Sequence, residues 1–211
     1  MESHLQSGYY YPNKAARAML ELHESVLGRN GLHALLNLAQ LPDLKDNFPP
    51  CNMGRQFDFA NFSLISQALE EIYGRRGGHA LAVRAGRGVF SSVLSNYGAL
   101  AGVRDPAFQA LPLDARLKIG LAAIARILFQ ISDQQNTLEV GENGFTFTVQ
   151  RCPHCWGRSG LDHAVCSLGL GVLQEGLKWL SGGREFAVVE TKCKAKGDAD
   201  CEYAIPKEPL A

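Results

Sequence analysis

Five of the six cysteines fall in the last third of the chain, at positions 152, 155, 166, 193 and 201, with only Cys51 outside. Cysteines scattered through an ordinary core do not bunch in this way, so this region points to a metal site built into the fold. Zinc takes four ligands in a tetrahedron, from Cys, His or carboxylate. Cys193 and Cys201 flank the turn AKGDAD, where their side chains can meet across a hairpin. Cys166 stands near the start of a helix and on its apolar stripe, where the field of the helix N-terminus favours a thiolate. Glu190 directly follows the apolar run FAVV and is the fourth candidate. A carboxylate amid Phe186, Val188 and Val189 is costly to bury unless a cation or hydrogen bonds compensate. Glu185, at the polar start of the same strand, is more easily solvated. Positions 190 and 193 differ by three, which in a regular strand sends the two side chains to opposite faces. The set therefore requires a bulge or a strand end near Lys192.

Cys152 and Cys155 form a CxxC whose spacing leaves several readings open. It is half of a zinc site completed by Cys193 and Cys201 or by His154 or His163, a redox dithiol, a group beside a haem iron, or a pair of buried thiols in a tight turn. The redox reading wants a strand-to-helix junction of a βαβ unit, and the sequence shows none.

The surroundings of this region are those of a globular protein. The chain has 211 residues, 46% hydrophobic and 20% charged, enough to bury a sizeable core. Lys plus Arg equals Asp plus Glu at 21 each, which argues against bulk attraction to nucleic acid. The start, MESHLQSGYYYPNK, has no basic-then-apolar leader pattern, and the longest apolar stretch, 117–131, is too short to span a bilayer and carries Lys118 and Arg126. The expectation is a cytoplasmic protein in a reducing compartment, where thiols favour metal over disulfides.

Helices dominate the first two thirds. Residues 13–27 place Ala16, Met19, Leu20, His23 and Leu27 on one face, Gly28 closes that helix, and Asn30-Gly31 turns the chain into a second helix over 32–41. An irregular connection follows, then a helix over 62–73 ended by Gly74. The next run, GRRGGHALAVRAGRG, is glycine-rich and basic but carries neither phosphate-loop pattern, so it reads as a helix whose small residues let another element approach closely. Leu113, Leu117, Leu121, Ile124, Leu128 and Ile131 recur at helical spacing, with Asp114 in the first turn. After residue 135 the period becomes two: TLEVGENGFTFTVQR is a hairpin around Glu142-Asn143-Gly144. A last helix, N-capped by Asp162 and buried along Cys166, Leu170, Leu173, Leu177 and Leu180, ends at Gly182-Gly183. Strands over 184–192 and 200–205 close the chain. This order predicts an α+β fold, with an antiparallel sheet of two hairpins covered by helices.

The segments CPHCWG, AVCSLGLGVLQEGLKWL and EFAVVETKCKAKGDADCEYAI closely resemble the 4-vinyl reductase domain. The tail pattern E-x-x-C-x-x-x-G-x-x-x-C stands here as Glu190, Cys193, Gly197 and Cys201, followed by Tyr203. The family includes the sensor domains of aromatic-responsive transcriptional activators and proteins linked to bacteriochlorophyll synthesis, and its fold is similar to palmitate-binding TRAPP subunits. The resemblance implies a structural zinc held by Cys166, Glu190, Cys193 and Cys201, with Cys152 and Cys155 outside the sensor ligand set. It implies a ligand-binding domain over residues 61–211 and a dimerising helical extension over 1–60. It also implies a homodimeric sensor or carrier for a hydrophobic molecule: an aromatic, a lipid tail or a tetrapyrrole. The expected pocket lies around Phe90, Leu121, Phe129, Phe147 and Trp156, with His79, Arg84 and Tyr97 as candidate polar anchors. Two alternatives stand beside it, a vinyl reductase acting on a chlorophyll precursor and a tethering subunit holding a structural acyl chain. The first lacks any dinucleotide or flavin motif to supply hydride. The sequence carries no ATPase or DNA-binding segment, so the expected module hands its signal or cargo to another molecule.

Overall fold

The computed structural model describes residues 6–210; residues 1–5 and 211, the outer ends of the two expected segments, lie outside the described residues. Strand β1 (Tyr10–Pro12) leads into helix α1 (Asn13–Leu38). Gly28, at φ 70° and ψ 168°, breaks α1 into two helical arms. The bend is therefore at Gly28 and not at Asn30-Gly31, because only the glycine at 28 adopts the left-handed backbone the break requires. Strand β2 (Arg55–Asp58) pairs antiparallel with β1, Tyr11 opposite Phe57. This small ribbon replaces the irregular connection read from the sequence; strands of three and four residues are too short to show a period.

Asp58 caps helix α2 (Phe59–Val89) by accepting from the Ala60 amide at 2.8 Å. Gly74 breaks α2 as Gly28 breaks α1, and the glycine-rich run continues as its second arm. A wide helical turn (Phe90–Leu94), a 3-10 segment (Gly98–Arg104) and the short α3 (Pro106–Gln109) lead to α4 (Leu113–Ile131). The predicted α4 stripe is the buried face: Leu117, Leu121, Ile124, Leu128 and Ile131 are all at most 4% exposed. Strands β3 (Gln135–Val140) and β4 (Gly144–Arg151) form the predicted hairpin, closed by the Gly141 amide on the Gly144 carbonyl.

Helix α5 (Ser167–Ser181) begins five residues after the predicted cap. Asp162 is exposed and pairs with Arg75 at 2.7 Å. Among the described residues no side chain caps the first turn of α5; Glu190, 24 residues away, accepts instead from the amide of the N-cap residue itself, Cys166, at 2.9 Å. Strand β5 (Val189–Lys192) is shorter than predicted: before it the Arg184 amide donates to Ser181 Oγ, the Glu185 carbonyl accepts from the Leu210 amide and the Val188 amide donates to the Phe186 carbonyl, not to a neighbouring strand. Strand β6 (Cys201–Pro206) completes an antiparallel sheet in the order β3-β4-β6-β5, with Phe147 opposite Tyr203 and Val149 opposite Cys201. The fold is thus the expected mixture of helices and antiparallel sheet, the two hairpins joined through β4 and β6.

Helices α4 and α5 cover the sheet face that carries Phe147, Val149 and Tyr203. Helix α2 crosses α5 with backbone against backbone. A Cβ on Gly86 would stand 2.0 Å from the Leu168 carbonyl oxygen, and one on Gly171 would stand 2.1 Å from that of Val83. The glycine-rich run is therefore the close helix contact its composition suggests. Position 60/61 lies in the first turn of α2, and Tyr11 packs its ring on Phe62 at 5.2 Å, so the N-terminal elements share the core of the rest. No described helix is long and apolar enough to cross a membrane.

His23 is buried on α1 with no hydrogen-bond partner for either ring nitrogen among the described residues. Burial pushes its pKa down to about 4, the Met19 backbone opposing weakly. An unfolded histidine titrates near 6.5, so between these values the unfolded chain binds a proton that the folded one refuses. Stability is then flat above about pH 6.5 and falls as pH drops towards 4, by about 3 kcal/mol in total from this group. Urea denaturation at pH 7 and pH 5 checks this: His23→Leu is expected to narrow the difference between the two, leaving the share of His154, whose pKa burial likewise pushes down to about 4.

Candidate metal centre

Three pieces of chain deliver the cysteines to one place. β4 ends at Arg151, and the chain turns tightly through residues 153–157, with the Arg158 amide on the Cys155 carbonyl. That turn brings the CxxC back on itself. Leu161 then hooks the loop to the far ribbon, its amide donating to the Ala195 carbonyl at 2.9 Å. Cys166 follows at the N-cap position of α5, its carbonyl receiving the buried Tyr203 hydroxyl at 3.0 Å. Beyond β5, Cys193 opens a 3-10 turn (Lys194–Lys196), and Asp198 fixes that turn by accepting the Cys193 amide at 2.8 Å. Cys201 begins β6 directly opposite.

The β5–β6 register shifts between Glu190 and Lys192. This irregularity supplies the change of face that a spacing of three requires, so Glu190 and Cys193 reach the same cluster. The ligand atoms of Cys166, Glu190, Cys193 and Cys201 lie within 4.8 Å of one another, and so do those of Cys152, Cys155, Cys166 and Cys201. Cys166 Sγ is 3.7 Å from both Cys193 Sγ and Cys201 Sγ and 3.5 Å from Cys152 Sγ, while Cys155 Sγ is 3.5 Å from Cys201 Sγ. The exposed Cys51 stands apart.

All five clustered thiols are at most 3% exposed. Burial pushes the Cys152 and Cys166 thiols up, and hydrogen bonds from Cys155, Cys166 and Cys201 hold Cys193 far below the usual thiol range. Burial, reinforced by the Cys193 charge, pushes the Glu190 carboxyl up to about 8. Its Oε1 is buried without a hydrogen-bond partner among the described residues. A half-satisfied carboxylate among thiols is a costly arrangement for the bare protein and a ready one for a cation. The donor set of thiolates and one carboxylate fits zinc, or another divalent ion with a taste for sulfur.

His154 and His163 fall outside both quartets. His154 is buried with its ring edge-on to Phe62 at 6.1 Å, and His163 binds Asp162. The CxxC sits in a turn after β4, and the next helix starts only at Ser167. It lacks the helix N-terminus that activates a redox dithiol.

The predicted pocket residues do not share a space. Phe90, Leu121 and Phe147 are buried, Trp156 is half-buried against Tyr9 at 5.3 Å, and Phe129 is 59% exposed. Phe129 lies one residue past Leu128, about 100° round the helix from the buried stripe, so it points outward. The enclosed interior spaces are small, roughly 20 Å³ and roughly 10 Å³. Tyr11, Leu128 and Val172 line both, and of the five predicted residues only Phe147 lines either. Sequence reasoning placed Leu128 in the core stripe but had no signal for Tyr11, which arrives through the short β1–β2 ribbon.

No family model matches the sequence, and no curated protein matches it at a significant level. Solved structures do. An H-NOX protein from K. algicida in the Fe(II) unliganded state superposes with a TM-score of 0.57 at 14% identity, over 94% of this chain and 97% of that one. The fold is that of the H-NOX domains. An S. oneidensis H-NOX in the Fe(II)NO state gives 0.54 at 12% identity over 92% and 99%, and the H-NOX from Shewanella woodyi in the Fe(II)CO state gives 0.52 at 16% over 93% and 94%. Superpositions this long include the N-terminal helices, which are part of the shared fold. The phenol-responsive sensory domain of the transcription activator PoxR aligns less well, at a TM-score of 0.46 and 16% identity over 72% of this chain and 77% of that one.

Proposed function

We propose that this chain is a small-molecule sensor or carrier module of the 4-vinyl reductase type, in which a structural zinc ion on Cys166, Glu190, Cys193 and Cys201 ties the start of α5 to the β5–β6 ribbon. The observation that carries the reading is the convergence of four such donors with one carboxylate oxygen left bare. Four protein ligands leave no open position for water, so the ion's part is to hold the fold rather than to hydrolyse anything. The H-NOX structures are described in Fe(II) unliganded and Fe(II)NO states, so in those proteins this architecture carries a small ligand.

The guest we assign is hydrophobic, and aromatic in size before lipid or tetrapyrrole. The two interior spaces each admit about one water, whereas a benzene-sized guest needs on the order of 150 Å³. Entry therefore means parting the seam at Tyr11, Leu128 and Val172. The polar end of a guest has Gln134 to meet there, the acceptor of the Tyr11 hydroxyl at 3.0 Å. A second copy of the chain is the expected partner of the N-terminal helices.

Native mass spectrometry of freshly purified protein reads metal, guest and oligomer in one spectrum. A folded protein without zinc overturns the metal reading. For the pocket, Leu128→Ala is expected to cost about 2–5 kcal/mol and to open a space in the seam. Adding toluene or indole then raises the melting temperature of the variant more than that of the parent. Equal shifts, or none, in a folded variant overturn the seam as the entry route.

A further inference from the structure

Six donors converge, and a single four-coordinate ion uses only four of them. With an ion on Cys166, Glu190, Cys193 and Cys201, the two thiols Cys152 and Cys155 remain beside it, each at most 3% exposed. With an ion on Cys152, Cys155, Cys166 and Cys201, it is Glu190 that remains, with its bare oxygen. The two quartets share one pair, Cys166 and Cys201, and that shared pair is the key to the arrangement.

A zinc–sulfur bond of about 2.3 Å sets the sulfur–sulfur edge of a tetrahedron at about 3.8 Å. The shared pair is 3.7 Å apart. The Cys166–Cys193 edge of one quartet is 3.7 Å, and the Cys152–Cys166 and Cys155–Cys201 edges of the other are 3.5 Å each. Each of these four distances is close to the edge that a sulfur-bound tetrahedral ion sets, and the two quartets meet along the Cys166–Cys201 side. An iron–sulfur cluster interposes inorganic sulfide between its metals and holds the cysteines of different irons much farther apart. The compactness of this cluster favours bare divalent ions instead.

From this geometry we infer that the centre is binuclear: two divalent, sulfur-seeking ions bridged by the thiolates of Cys166 and Cys201. Cys152 and Cys155 complete one ion, and Glu190 and Cys193 complete the other. The inference extends the zinc reading above and rests on it for the second of these ions. Every donor of the cluster is then used. Five thiolates and one carboxylate set six negative charges against four positive, the same net charge of minus two that one ion carries with three thiolates and the carboxylate. The backbone supports the bridging pair: the Lys194 amide points at Cys201 Sγ at 3.4 Å.

The test is metal stoichiometry with cadmium substitution. Protein purified with zinc is weighed intact by native mass spectrometry, then reloaded with cadmium-113 for NMR. Two ions per chain are expected, together with two cadmium resonances split by coupling through the shared sulfurs. Cys152→Ser/Cys155→Ser is expected to fall to one ion, a single unsplit resonance, with the fold retained by circular dichroism. Glu190→Gln/Cys193→Ser is expected to retain one ion as well. One ion in the parent, unchanged by Cys152→Ser/Cys155→Ser, overturns the binuclear centre and leaves the single-zinc reading standing. One ion in the parent, lost from Cys152→Ser/Cys155→Ser but kept by Glu190→Gln/Cys193→Ser, overturns both. A metal-free folded parent also overturns both.

Discussion

Cys166→Ala is expected to strip the centre of metal and to remove most of the stability of the fold. Cys166 belongs to both quartets and stands at the junction of α5 with the β5–β6 ribbon, so neither quartet is complete without it. Structural zinc contributes on the order of 10 kcal/mol or more to the folding of small metal domains, and a whole domain is stable by only about 5–15 kcal/mol. The variant should unfold at or below ambient temperature or persist as a collapsed state without fixed packing. Cys51→Ala, at an exposed thiol away from the cluster, should change neither metal content nor melting temperature. Metal analysis paired with thermal denaturation reads both variants. A Cys166→Ala protein that melts with the parent contradicts the structural role of the centre.

Gly86→Ala carries the second large effect. Its new methyl would stand 2.0 Å from the Leu168 carbonyl oxygen and 3.0 Å from the Val172 amide nitrogen, both backbone atoms of α5. Neither helix can rotate a side chain out of the way, so α2 and α5 must separate. Overpacking typically costs about 1–3 kcal/mol where side chains can adjust; a backbone clash belongs at or above the top of that range. At about 2–4 °C per kcal/mol for a chain of this size, a fall in melting temperature of roughly 6–12 °C follows. Gly120→Ala is milder, since its methyl meets the branched end of Leu180, and Gly102→Ala, with no atom of the described residues within 4 Å, should be neutral. Gly86→Ala with Gly171→Ala should cost less than the two separately, because the first substitution already opens the contact that the second needs. Full additivity would mean that the two glycines do not serve one interface.

These effects show which parts of the molecule were legible in the sequence. The α4 stripe was, because six apolar residues at helical spacing admit one face. So was the strand hairpin around Glu142-Asn143-Gly144, where period and turn chemistry agree. The glycine-rich run was legible as a close approach, though not its partner. At the centre, Glu190 could be singled out as an acid following an apolar run, and its spacing from Cys193 demanded the irregularity found at the β5–β6 register shift. What was not legible depended on contacts distant in sequence. Asp162 is a good cap by type, yet α5 starts at Ser167, where the ribbon folds back and Glu190 accepts from the amide of the N-cap residue Cys166. The CxxC could not be assigned from spacing alone, since its nearest neighbours, Cys166 and Cys201, are 14 and 46 residues away. The strands β1 and β2 have no pattern of their own and exist because each supplies the other's edge. Phe129 is the case in which the sequence did hold the answer: its position beside Leu128 on a helix already places it off the buried face.

Zinc K-edge X-ray absorption on the purified, folded protein tests the central claim most directly. The account predicts nearest neighbours that are mostly sulfur at about 2.3 Å, with a smaller oxygen contribution at about 2.0–2.2 Å from Glu190. Oxygen and nitrogen neighbours alone, or a folded protein with no zinc edge, would contradict it.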